Sequence, residues 1–112
     1  MILAPLRARL LANGRRTAAG QDIDPYPVVK LFAPGSSATW LLKEIDPYEW
    51  DRAFGLCDLG LGSPELGYVS LSELAACRTH AGLLIELDRH FRATGPLSEY
   101  ANEARRLGRI VA

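Results

Sequence analysis

Clusters of proline, glycine and small polar residues cut the middle of this chain into short pieces, and that spacing limits what it can fold into. Pro34-Gly35-Ser36-Ser37, Asp46-Pro47 and the group Gly60, Gly62 and Pro64 interrupt it at short intervals. Between them stand Val28 to Ala33, Ala38 to Ile45, Ala53 to Leu59 and Leu66 to Val69, which are rich in β-branched and aromatic residues or alternate in polarity. Connections this short join strands as antiparallel hairpins, because a parallel neighbour needs a crossover of a dozen or more residues. An antiparallel meander is therefore expected.

Helical periodicity flanks the meander. Pro5 suits a first helical turn, Ile2, Leu3, Leu6 and Leu10 gather on one side, and Asn13-Gly14 supplies a stop signal. Arg15 to Asp24 is small and polar and reads as a mobile linker, ending in Asp24-Pro25-Tyr26-Pro27, whose prolines favour an extended entry. Ser70 with Glu73 fits a capping box for a middle helix carrying Leu71, Leu74 and Ala75 and ending near His80 to Gly82. Leu83 to Phe91 has the alternation of a half-buried strand, with Leu83, Ile85 and Leu87 on one side and Glu86, Asp88 and His90 on the other. A last helix opens at Gly95-Pro96 and repeats Leu97, Tyr100, Ala101, Ala104, Leu107 and Val111 at three- and four-residue steps.

The expected fold is α+β: one domain over residues 1–112, a mainly antiparallel sheet of four or five strands, and N-terminal, middle and C-terminal helices on one face. Leu31, Trp40, Leu42, Phe54, Leu56, Leu71, Leu74, Ile85, Leu87 and Tyr100 are expected to share one core.

Thirteen basic residues balance thirteen acidic ones, so no global field draws the chain to nucleic acid or to an anionic membrane. Pro5, Arg7 and Arg9 break the apolar start before a signal-peptide core could form, and no stretch is long and apolar enough for a membrane span, which points to the cytoplasm. Cys57 and Cys77 lack zinc-finger or CxxC spacing and are expected as two buried, inert thiols.

Several groups could carry chemistry. Glu86, Asp88 and His90 on one strand face, joined by Glu44, Asp46 or Asp58 if those strands are neighbours, would form an acidic patch able to hold a divalent cation. The simpler reading is a solvated sheet face. Gly60-Leu61-Gly62 lacks the lysine and helix of a phosphate loop, and no serine elbow or activated cysteine is present, so no catalytic residue, cofactor or resident metal is assigned. Arg105, Arg106 and Arg109 complement the dipole of the last helix, and with Arg7, Arg9, Arg15 and Arg16 they form the alternative of a nucleic-acid surface. Pro25-Tyr26-Pro27 and Pro47-Tyr48-Glu49-Trp50 place aromatic residues in loops, which favours a protein partner unless the rings fold back onto the core.

One set of motifs is more specific. Lys30-Leu31-Phe32, Thr39-Trp40-Leu41, Asp46-Pro47, Phe54-Gly55-Leu56-Cys57-Asp58-Leu59-Gly60 and above all Pro64-Glu65-Leu66-Gly67-Tyr68 resemble the domain of unknown function 2958 family, from about Val28 to Tyr100. The resemblance implies a small bacterial protein, often encoded on plasmids and integrative elements, with no established activity, cofactor or substrate. The chain departs from the family pattern at Thr79-His80, where a glycine is common, and at Leu87, where arginine is frequent. These readings together lead to a non-enzymatic accessory protein that binds another protein.

Overall fold

Pro34-Gly35-Ser36-Ser37 turns the chain as its composition predicts. In the computed structural model, which describes residues Met1 to Ala112, Gly35 takes a φ of 75° and the Ala33 N–H donates to the Ala38 carbonyl at 3.1 Å. The hairpin joins β1 (Val29–Phe32) to β2 (Thr39–Ile45), and the meander continues through β3 (Arg52–Asp58) and β4 (Glu65–Ser70). A two-residue strand, β5 (Glu86–Leu87), returns to pair with β1, which gives an antiparallel sheet in the order β4-β3-β2-β1-β5. Three helices complete the α+β fold: α1 (Ala4–Ala18), α2 (Leu71–Ala76) and α3 (Leu97–Leu107).

The helices lie on both faces of the sheet rather than on one. Trp40 and Leu42 of β2 pack with Leu10 and Leu11 of α1 and with Leu71 and Leu74 of α2, whereas Leu41 packs with Leu56 and with Leu97, Ala101 and Ala104 of α3. Trp40, Leu41 and Leu42 are apolar in succession, and side chains alternate across a strand, so both faces of β2 must be covered. The expected single core is accordingly two. Leu31, Trp40, Leu42, Leu71, Leu74 and Ile85 belong to the larger, with Leu87 against it; Leu56 belongs to the smaller, with Tyr100 against it, and Phe54 is in neither.

α1 continues through the expected stop at Asn13-Gly14. The Asn13 Nδ2 donates to the Lys43 carbonyl at 2.9 Å, and a Cβ at Gly14 would collide with the carbonyl oxygen of Ile45. The glycine therefore marks a close crossing of helix over strand, not a helix end. Arg15 to Ala18 form the last turn of α1, and Asp24, near the end of the expected linker, reaches α3. Its carboxylate accepts the Ser98 N–H at 3.1 Å and the Ser98 hydroxyl, satisfying an amide of the first turn that Pro96 at the N-cap leaves without a side-chain partner.

Two boundaries fall short of the expected ones. Ser70 caps α2, its Oγ accepting the Glu73 N–H at 3.2 Å, but Cys77 is already extended and the helix ends at Ala76. The long strand expected over Leu83 to Phe91 is ladder-paired only at Glu86 and Leu87: before them Leu84 bridges back to Arg78, and after them Asp88 Oδ1 accepts the His90 N–H at 2.9 Å and turns the chain.

In an open helix, glycine to alanine stabilises by about 1 kcal/mol. At Gly14 the sign reverses: Gly14→Ala should destabilise the protein by about 1–3 kcal/mol through overpacking against β2, as read from urea unfolding.

Candidate functional site

The acidic residues singled out from the sequence do not gather. β5 lies beyond β1, so Glu86 and Asp88 are separated from Glu44 on β2 and from Asp58 on β3. Glu44, 8% exposed, accepts the Thr17 hydroxyl at 2.9 Å and pairs with Lys43 Nζ at 3.2 Å, which fastens the end of α1 to β2. Asp46 Oδ1 accepts the Tyr48 and Glu49 N–H groups at 2.8 and 3.3 Å. Asp58, 1% exposed, accepts the Gly60 N–H at 2.8 Å and the Ile110 N–H at 2.9 Å, tying the segment after α3 to the end of β3. Asp88 lies 3.7 Å from Lys30 Nζ, Glu86 is exposed, and His90 sits exposed in the turn after β5. No group of three or more histidine, cysteine or acidic side chains is arranged to hold a metal ion.

The C-terminal arginines are surface groups with local partners. Arg106 pairs with Glu103 at 2.7 Å, Arg105 donates to Asn102 Oδ1 at 3.3 Å, and Arg109 is exposed. The cysteines are free and less buried than expected: Cys57 is half-buried and Cys77, just past α2, is exposed. Burial pushes the Cys57 thiol above its ordinary pKa, which keeps it protonated and a poor nucleophile at neutral pH.

The turn between β2 and β3 is the most constructed feature of the surface. Asp46 holds its first two amides, the Asp46 N–H donates to the Arg52 carbonyl at 2.8 Å, and Trp50 Nε1 donates to the Pro47 carbonyl at 2.9 Å. This frame leaves Tyr48 88% and Trp50 61% exposed, so the rings are displayed rather than folded onto the core. Tyr48 shares a shallow groove of about 140 Å³ with Phe54 and Tyr68. Those two rings meet edge to face at 4.9 Å, with the Arg52 guanidinium 3.8 Å from the Tyr68 centroid and Lys43 Nζ 5.2 Å from that of Phe54. Trp50 borders a second groove of about 320 Å³ with Met1, Ile2 and Leu71.

A third concavity, of about 520 Å³, opens between α1 and the β1–β5 edge, floored by Leu3, Leu6, Val29 and Leu87 and bordered by Arg9, Arg89 and Arg92. Sequence reasoning grouped Arg9 with the other N-terminal arginines and passed over Arg89 and Arg92; their convergence is produced by β5 pairing with β1.

Asp51 closes the aromatic turn. Its carboxylate accepts the Ser70 hydroxyl at 2.6 Å, the Ser72 N–H at 2.8 Å and the Ser72 hydroxyl at 3.0 Å, locking the turn onto the start of α2. The Ser70 hydroxyl, followed by the Ser72 amide, holds the Asp51 pKa below the ordinary carboxylate value. A depressed folded-state pKa contributes stability above the unfolded value of about 3.9 and loses it as pH falls through the lower, folded value. Asp51→Ala should therefore lower the melting temperature at neutral pH, and the gap to the unsubstituted protein should close as the melt is repeated at pH below about 4.

No helix of the protein is long and apolar enough to cross a membrane. No curated protein and no solved structure matches the chain. A family model described as a protein of unknown function, DUF2958, matches residues 1–111, beyond both ends of the stretch that carried the sequence resemblance, and the chain belongs to that family.

Proposed function

We propose that this chain is a non-enzymatic binding protein that engages another protein through the aromatic turn at Tyr48 and Trp50. The observation that carries the reading is the rigid display of the two rings: five hydrogen bonds within the Asp46–Arg52 loop hold them out in water. Exposed aromatic side chains on a preorganised backbone are what protein interfaces use as anchors, because they bury large area with little ordering cost on binding. Tyr68, from the Pro-Glu-Leu-Gly-Tyr block, extends the surface along β4. A nucleic-acid role has less support, since Arg106 is engaged by Glu103 and the flanking cations Arg52 and Lys43 lie over the rings that bases would need. The setting that goes with this reading is the cytoplasm of a bacterium, with the gene carried on a mobile element.

The test is affinity capture from bacterial cytosol with the unsubstituted protein and with a double Tyr48→Ala, Trp50→Ala variant. Both side chains are largely exposed, so the variant should melt within a few degrees of the parent. The expected result is a defined partner retained by the parent and lost by the variant. Equal retention by both, or no partner alongside turnover of a small molecule, would overturn the reading.

A further inference from the structure

We propose that the groove between α1 and the β1–β5 edge seats an acidic segment of the partner protein, with the segment's carboxylates on Arg9, Arg89 and Arg92 and its apolar side chains on the floor. This deepens the protein-binding reading and rests on it.

Charge points to the occupant. In a chain of zero formal net charge, three arginines border one concavity, and no salt bridge engages any of them. Arg9 and Arg89 make no side-chain hydrogen bond, and that of Arg92 goes to the backbone carbonyl of its neighbour Phe91 at 2.9 Å. The one acid in the groove, Asp88, spends Oδ1 on the His90 amide and faces Lys30 with Oδ2. The three arginines that line the groove are thus without an ion-pair partner, and guanidinium forms its strongest pairs with carboxylate or phosphate.

The floor decides between a protein and a nucleic acid. Leu3, Leu6, Val29 and Leu87 offer aliphatic surface, which suits leucine- or valine-sized side chains. A single strand would want several free rings on which to stack its bases. Only Tyr26 offers one, because the other ring there, Phe91, packs on Tyr100 at 6.4 Å.

The probe is a short fluorescein-labelled peptide of alternating glutamate and leucine, followed by anisotropy, beside a glutamate–serine peptide and an oligodeoxythymidylate of the same length. The full chain should bind the glutamate–leucine peptide best, with affinity falling as salt rises. Arg9→Glu, Arg89→Glu or Arg92→Glu should each weaken it about ten-fold or more, the loss expected for one charge-assisted pair. Arg105→Glu, outside the groove, is the control that should leave it unchanged, and melting curves establish that every variant is folded. Tighter binding of the oligonucleotide, equal binding of the glutamate–serine peptide, or indifference to all three groove reversals would overturn the proposal. The captured partner separates this inference from the reading beneath it. Capture lost both in the groove reversals and without Tyr48 and Trp50 supports both, whereas capture that survives the reversals but fails without Tyr48 and Trp50 removes the groove and leaves the aromatic turn standing.

Discussion

Burial of β2 on both faces is the constraint on which the rest of the structure depends. Trp40, Leu41 and Leu42 are apolar in succession, so the strand is stable only with a layer on each side. α1 supplies one layer, and it can approach closely only because Gly14 has no side chain where it crosses Ile45. α3 supplies the other through Leu97, Ala101 and Ala104, small enough in part to bring its axis near Leu41 and Leu56. The three-layer arrangement, the split of the core in two and the interior position of β2 in the sheet all follow from that one strand.

Carboxylates hold the layers in register. Asp24 binds the first turn of α3, Asp51 binds the start of α2, Asp58 fastens the segment after α3, and Glu44 fastens the end of α1. All but Glu44 satisfy backbone N–H groups at the ends of elements, where such donors lack a partner within the element. These acids are therefore committed to architecture. The side chains left exposed are of another kind: the Tyr48 and Trp50 rings on the β2–β3 turn, and Arg9, Arg89 and Arg92 around the groove beside α1.

Much of this was legible in local sequence. Proline and glycine spacing gave the hairpins, because turn geometry is set by a few consecutive φ and ψ angles; Ser70 and Glu73 marked the start of α2 for the same reason. The antiparallel sheet and the three helices came from periodicity, which reports which residues share a face. The Pro-Glu-Leu-Gly-Tyr block pointed to the family. The sequence by itself determined the elements and their order. Only the tertiary structure decided that α3 lies on the face opposite α1, that Gly14 is a crossing point rather than a stop, that Glu44, Asp58 and Asp88 stand apart, and that Arg9 meets Arg89 and Arg92. The physical reason is distance along the chain. A local pattern fixes dihedral angles and faces, but the face a helix covers and the strand a segment pairs with are settled by burial and pairing between residues tens of positions apart.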